Sequence, residues 1–152
     1  MIGYLDSPIG LLRLHATQRL LTGVELVPER TEKEQENEII RRAKQQITQY
    51  FAGNLQQFSV AFRYPKLSPF AIAVLDALQE IPYGQTRTYG QIAAQIGRPC
   101  AARAVGQAVG RNPLLLFVPC HRVVAQNGLG GFHYGAAVKQ QLLALEHKKP
   151  EE

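Results

Sequence analysis

The chain has 152 residues, enough for one or two small domains, and 45% of them are hydrophobic, so a core can be buried. Lysine and arginine number 17 against 12 acidic residues, a net charge of +5 that suits a polyanionic partner such as nucleic acid, although many basic proteins bind none. Two cysteines exclude a disulfide scaffold, and the absence of a signal peptide and of an apolar run near ~18 residues predicts a cytoplasmic protein with no membrane segment.

The first part of the chain has the pattern of a small sheet with one helix. Three runs alternate apolar and polar residues, as half-buried strands do: residues 12–16, 22–26 and 58–62. Residues 7–10 have turn chemistry, and Thr31 with Glu34 has the spacing of a capping box that starts a helix. The expected apolar face of that helix comprises Ile40, Ala43, Ile47 and Tyr50. We predict an antiparallel sheet plus helix as an N-terminal domain over residues 1–62.

Helix patterns dominate from residue 63 onward. Ser68 followed by Pro69 predicts a helix start, and Thr88 with Gln91 predicts a second start at Tyr89. A tight link then leads to a helix over about residues 101–109, and such a pair is typical of a helix-turn-helix. A buried strand or extended run at 114–118 and a last helix at about 136–147 complete a mostly helical C-terminal domain, residues 63–152. The predicted fold class is therefore mixed α/β, of the α+β kind.

The second helix of a helix-turn-helix lies against DNA. Here it offers one long basic side chain, Arg103, among the small residues Ala102, Ala104 and Gly106. Small residues let the backbone approach a groove closely, and few side chains remain to recognise base edges. Arg103 is therefore interpreted as a wedge, while the alternative that the alanines only pack helix against helix stays open.

Cys120 directly follows the predicted buried run and is followed by His121 and Arg122. A thiol becomes a nucleophile when its pKa falls, and a nearby imidazole or guanidinium lowers it. Because adjacent residues on an extended chain point apart, we expect His121 to act through a bridging water. The alternative is a buried structural cysteine, which is the commoner fate of a free thiol.

Residues 118–124, VPCHRVV, resemble the active-site signature of the O6-alkylguanine-DNA alkyltransferases. Further segments resemble that family in order along the chain: residues 81–84, 88–90, 103–106, 112–113 and 128–132. The resemblance extends from about Ser68 to Glu146, whereas the N-terminal part matches only in its general plan. It implies a single-turnover DNA repair enzyme that moves the alkyl group of O6-alkylguanine, and also of O4-alkylthymine, onto its own cysteine.

The resemblance also implies roles for residues around the thiol. Cys120 would be the alkyl acceptor, and His121 would take the thiol proton through a water while Glu146 orients the imidazole. Asn112 would position this network. Tyr89 would contact the flipped nucleotide and donate a proton to the purine as the leaving group departs.

The other implied contacts are with the extruded nucleotide and the DNA. Arg103 would fill the gap left in the base stack. The pocket would be formed by Val123, Phe132, His133, Tyr134 and Lys139. Because Phe132 lacks a hydroxyl group, the contact to O6 would come from the backbone of His133 or from Tyr134.

The implied partner is double-stranded DNA that contains O6-alkylguanine, bound by a monomer. The displacement needs no cofactor and no metal. Two other functions stay open: a module that recognises alkylated guanine without chemistry, and a helix-turn-helix regulator with a redox thiol. Relatives of the first kind lack the acceptor cysteine, and the second would need base-reading side chains and a dimer surface. A stable gain of mass after exposure to alkylated DNA separates the alkyltransferase from both.

Overall fold

The computed structural model describes residues 1–147, which form two compact units. The fold is mixed α/β, as predicted. The first unit comprises residues 1–66 and 113–117, and the second comprises residues 67–112 and, within the described part of the chain, residues 118–147. The elements follow in the order β1 (Ile2–Ser7), β2 (Gly10–Ala16), β3 (Leu21–Leu26), α1 (Glu38–Phe51), α2 (Pro69–Leu78), β4 (Arg87–Thr88), α3 (Tyr89–Gln95), α4 (Ala102–Gly110), a 3-10 turn (Cys120–Arg122), β5 (Val123–Val124) and α5 (Ala136–His147).

The first unit is an antiparallel sheet of order β1-β2-β3 with α1 packed against it. The pairing of Ser7 with Gly10 closes the predicted tight turn between β1 and β2. Leu12, Leu14 and Ala16 are buried, which confirms the alternation predicted for β2. In β3 only Leu21 and Val24 are buried, so the expected period of two does not hold there.

The predicted capping box at the start of α1 is wrong. The helix begins seven residues beyond Thr31, at Glu38, and its N-cap is Asn37, whose Oδ1 accepts a hydrogen bond from the Ile40 N–H at 3.0 Å. Glu34 is engaged elsewhere, because its carboxylate accepts the backbone N–H of Tyr4 at 3.0 Å. The segment before α1 thus stays extended along β1. The predicted apolar face of α1 is confirmed, since all four residues are buried: Ile40, Ala43, Ile47 and Tyr50.

The strand expected over residues 58–62 is reduced to a single bridge between Phe62 and Leu21. The run at 114–118 is buried as expected but is not a regular strand, because Leu116 has a left-handed φ of 74°. Part of this run returns to the first unit rather than continuing the second domain. Val24 N donates to Pro113 O at 3.0 Å, and Leu115 N donates to Val24 O at 3.1 Å.

In the second unit, α2, α3 and α4 pack against one another. The Ser68 hydroxyl caps α2 by accepting the Ala71 N–H, with Pro69 in the first turn. The capping box of Thr88 and Gln91 at the start of α3 is complete in both directions, as predicted. Residues 96–101 then join α3 to α4. None of the helices within residues 1–147 combines the length and the apolar character needed to cross a membrane.

The last helix has the predicted bounds but an unexpected buried face. Of the apolar residues that suggested it, only Leu142 is fully buried. The same face buries Lys139 and Glu146, at helical spacings of three and four residues from Leu142. Two ionisable side chains are thereby directed into the interior of the second unit.

Candidate active site

A cavity of about 550 Å³ opens in the second unit beside α4. One wall is the exposed face of α4, formed by Ala102, Arg103, Gly106, Gln107, Val109 and Gly110. The rest of the lining comes from Tyr89, Asn112, Cys120 and the loop residues Gly131, Phe132, His133 and Tyr134. A single site thus brings together residues from four separate stretches of sequence.

Most of the residues predicted for the site line this cavity, but five do not. Ala104 is exposed on another side of α4. The other four are buried: His121, Val123, Lys139 and Glu146.

Cys120 begins the 3-10 turn and is 4% exposed. Its position is fixed by Val118, whose carbonyl accepts both the Cys120 N–H at 2.8 Å and the Asn112 Nδ2 amide at 2.8 Å. Burial raises the pKa of the thiol to about 11, against the opposing effects of a hydrogen bond from Asn112 and the positive charge of Lys139. The expectation of a lowered pKa is therefore wrong for this resting state, because desolvation outweighs the neighbouring groups.

His121 follows Cys120 within the same 3-10 turn, not on an extended chain as expected. Its Nε2 lies 2.6 Å from Oε2 of Glu146, and both side chains are buried. Burial lowers the pKa of His121, although the carboxylate of Glu146 acts to raise it. A neutral imidazole then carries its proton on Nε2 toward the carboxylate, and its Nδ1 has no hydrogen-bond partner within the described residues.

Arg122, the third residue of the turn, is buried beside the same carboxylate. Its Nε donates to Oε1 of Glu146 at 2.8 Å, and its Nη2 lies 3.1 Å from Oε2. Its Nη1 donates to the carbonyl of Ile81 at 2.8 Å, and the guanidinium lies 5.7 Å from the centre of the Tyr83 ring. The sequence analysis considered Arg122 only as a neighbouring charge and missed this pairing.

Tyr89, the first residue of α3, lines the cavity together with Arg103. Its hydroxyl donates to the carbonyl of Gly131 at 3.2 Å, and burial raises the pKa of the phenol, so it stays protonated at neutral pH. Its ring lies close to two glycines. A β-carbon on Gly106 would meet the ring at 3.7 Å, and one on Gly130 would meet it at 2.9 Å.

Lys139 lies beneath the cavity loop as a fully buried ammonium. Its Nζ donates to the carbonyl of Val123 at 2.6 Å and to that of Gly131 at 3.0 Å. The rings of Tyr89 and Phe132 are centred 5.8 Å and 5.9 Å away. Burial lowers the pKa of Lys139 to about 8. The carbonyl of Val123 therefore already accepts a hydrogen bond from Lys139.

The loop beyond Gly131 places three aromatic rings at the cavity. The ring of Tyr134 lies 6.1 Å from that of Phe132 and 4.8 Å from that of His133, both edge to face. The expected contact from the backbone of His133 or from Tyr134 to the substrate oxygen stays a prediction. Within residues 1–147 no cluster of three His, Cys, Asp or Glu side chains is arranged to hold a metal ion.

Three lining residues on α4 were not predicted from the sequence: Gln107, Val109 and Gly110. A pattern could have found two of them. Gln107 and Gly110 follow Arg103 at four and seven residues and therefore share its helix face. The chemistry that this face and the thiol permit is a nucleophilic displacement on a group held in the cavity, with His121 available as the base.

Comparisons with known proteins cover nearly the whole chain. Residues 1–64 match the family described as 6-O-methylguanine DNA methyltransferase, ribonuclease-like domain, and residues 69–148 match the same family's DNA binding domain. A methylated-DNA–protein-cysteine methyltransferase of Mycolicibacterium paratuberculosis is 46% identical over 97% of this chain and 94% of its own. A protein of the same name from Methanosarcina acetivorans is 43% identical over 93% and 94%.

Two solved structures are also similar to this chain over nearly its whole length. The OGT of Mycobacterium tuberculosis, crystallised in complex with DNA, has a TM-score of 0.87 at 43% identity over 95% of this chain and 91% of its own. An O6-methylguanine DNA methyltransferase from Methanococcus jannaschii has a TM-score of 0.74 at 29% identity, over 100% and 96%.

Proposed function

The chain belongs to the O6-methylguanine DNA methyltransferase family, and we propose that Cys120 is the residue onto which it transfers the alkyl group, once per molecule. Its activity is that of a DNA repair methyltransferase, which removes the alkyl group directly from O6-alkylguanine. The observation that carries the assignment of Cys120 is its position in the cavity, next to the buried His121–Glu146 pair.

The first step is removal of the thiol proton. Because burial raises the pKa of Cys120 to about 11, the thiol is almost entirely protonated at pH 7 and needs a base. The unpartnered Nδ1 of His121 supplies an acceptor, and the proton reaches it through one bridging water. Glu146 holds the other ring nitrogen and stabilises the imidazolium that forms.

The second step is an in-line displacement at the alkyl carbon. The Cys120 sulfur forms a bond to carbon while the carbon–O6 bond breaks and its electron pair moves to the purine. Tyr89, whose phenol is protonated, donates a proton to the purine and regains one from solvent. A thioether has no neighbouring group that cleaves it, so the reaction stops after one transfer. Neither a metal nor a cofactor takes part.

The target base has to leave the duplex before it can reach the cavity. Arg103 fills the vacated space in the stack, and Ala102 and Gly106 let α4 lie close to the minor groove. In this proposal α3 and α4 act as a helix-turn-helix, and the DNA also contacts Ala104, which is exposed outside the cavity face of α4. The partner is double-stranded DNA containing O6-alkylguanine or O4-alkylthymine, bound by a monomer in the cytoplasm.

The test is the mass of the intact protein after incubation with a short duplex that contains O6-methylguanine. We expect a gain of one methylene unit that maps to Cys120 and is absent in Cys120→Ser. The control is Cys100→Ser, which removes the exposed second cysteine and leaves the gain intact. No gain of mass with binding to the lesion preserved would contradict transfer and leave a damage sensor.

A further inference from the structure

The buried arginine that follows the proposed base has no part in the chemistry described so far. We infer that Arg122 is a positioning residue for the alkyl transfer: its guanidinium keeps Glu146 a correctly oriented carboxylate anion, so that His121 holds its proton on Nε2 and leaves Nδ1 free. The inference rests on the proposed function, because it concerns the protonation state of the proposed base.

The geometry is that of a two-point pairing between planar groups. Arg122 reaches both oxygens of Glu146, at 2.8 Å and 3.1 Å, while Oε2 also contacts His121 Nε2 at 2.6 Å. The remaining hydrogen bond of the guanidinium, to the carbonyl of Ile81 at 2.8 Å, fixes its plane. A bidentate pairing of this kind sets the orientation of the carboxylate as well as its charge.

Without the guanidinium, the buried pair of Glu146 and His121 has two ways to reduce its uncompensated charge, and both disable the base. If His121 takes up a proton, the imidazolium has N–H groups at both ring positions and Nδ1 accepts nothing. If Glu146 takes up the proton, its O–H donates to Nε2, and the ring then carries its hydrogen on Nδ1. Only an anionic Glu146 next to a neutral His121 leaves a lone pair on Nδ1.

The charges around His121 agree with this role. Cys120 and Arg122 flank it in the turn, α5 contributes Glu146 and Lys139, and Tyr83 comes from the turn after α2. On α2 itself Asp76 is exposed. Burial lowers the pKa of His121, Glu146 raises it, and the positive charges of Arg122 and Lys139 lower it further. Removing the Arg122 charge therefore raises that pKa.

The experiment compares two substitutions that separate charge from hydrogen bonding. Arg122→Gln loses the charge but keeps hydrogen-bonding groups, and Arg122→Lys keeps the charge but loses the two-point pairing. The matched control is Arg13→Gln, which removes an arginine paired with Glu25 at 2.6 Å in the other unit. The readouts are the 15N shifts of the His121 ring and the single-turnover rate of transfer, each measured as a function of pH.

In Arg122→Gln we expect His121 to become protonated at a pH higher than in the wild type by about one unit or more. The acidic limb of the rate profile moves up by the same amount, and the rate recovers at alkaline pH. In Arg122→Lys both midpoints stay within about half a unit of the wild type, and Arg13→Gln changes neither. A folded Arg122→Gln with an unchanged His121 midpoint, the ring hydrogen still on Nε2 and a rate lowered equally at every pH would show a merely structural role.

If Arg122→Gln does not fold, the wild-type protein still decides the question. The ring of His121 at pH 7 must be neutral with its hydrogen on Nε2, and a hydrogen on Nδ1 would overturn the inference. Failure of the proposed function has a different signature. The wild type would then gain no mass on alkylated DNA, whatever the tautomer of His121.

Discussion

Gly130 has no side chain and so leaves room for the ring of Tyr89 in the candidate active site. We predict that Gly130→Ala lowers both the free energy of unfolding and the rate of alkyl transfer. The residue has a φ of +77°, a left-handed conformation that costs an alanine about 1–2 kcal/mol. Its new β-carbon would lie 2.9 Å from Cε2 of Tyr89, 3.0 Å from the Tyr89 hydroxyl and 3.0 Å from the backbone nitrogen of Ala125. The backbone nitrogen cannot move away easily.

Overpacking of this kind typically costs a further 1–3 kcal/mol, so the free energy of unfolding should fall by about 2–5 kcal/mol in total. Two glycines close by in sequence separate the two contributions. Gly135 also has a positive φ, of +100°, but nothing lies within 4 Å of its β-carbon position, so Gly135→Ala should cost only the backbone share. Gly128 has no contact within 4 Å and no positive φ, so Gly128→Ala should change little.

Urea unfolding of the three variants measures these differences, and the single-turnover rate measures the effect on Tyr89. A shift of the ring should slow transfer by roughly ten- to a hundredfold in Gly130→Ala. If Gly130→Ala is no less stable than Gly135→Ala, the prediction is refuted, because the close contact with Tyr89 would then have no destabilising effect.

Two further predictions concern charge and capping. Lys139 has a pKa of about 8 in the folded protein, below that of an unfolded lysine, so between pH 8 and 9 the unfolded chain binds the extra proton and stability rises with pH. Unfolded Cys120 ionises at about pH 8.5 while the folded thiol keeps its proton, which opposes this effect over the same interval, so the comparison uses a Cys120→Ser background. Urea titrations should show a rise of about 1 kcal/mol from pH 8 to 9 in Cys120→Ser and none in Cys120→Ser/Lys139→Met. Asn37→Ala should lower the free energy of unfolding by about 1 kcal/mol, because it removes the N-cap of α1. Thr31→Ala, at the cap expected from sequence, should change it by only a few tenths of a kcal/mol. Equal losses in the two variants would contradict the assignment of Asn37 as the N-cap.

Predictions from the sequence were most accurate for features that depend only on residues close together in the chain. The capping box of Thr88 and Gln91 needs only residues three apart, and the structure forms it as predicted. Thr31 and Glu34 have the same spacing, yet Glu34 is used by the backbone of Tyr4. That competing partner lies thirty residues away in the chain, so no local pattern could reveal it.

The same division between local and long-range effects applies to the site. From the resemblance we predicted the thiol, the imidazole and the carboxylate as site residues, and α5 has the expected bounds. Which of its faces is buried could not be predicted, because hydrophobic periodicity gives no weight to Lys139 and Glu146. A buried charge is stable only with specific partners, and those partners lie on other elements of the second unit.

The reactivity of Cys120 illustrates why its neighbours in sequence are a poor guide. Arg122 is close in the chain, but its charge is matched by Glu146, so it adds little net attraction for a thiolate. Lys139 is distant in the chain and pairs with carbonyl groups only, among the residues described. Its positive charge is therefore not cancelled, and it acts to lower the pKa of the thiol. The buried site carries one excess positive charge while Cys120 is a thiol, and the thiolate that forms is attracted to that charge. The hydrogen bond from Asn112 and the charge of Lys139 on α5, rather than the charge of Arg122, therefore favour the nucleophile.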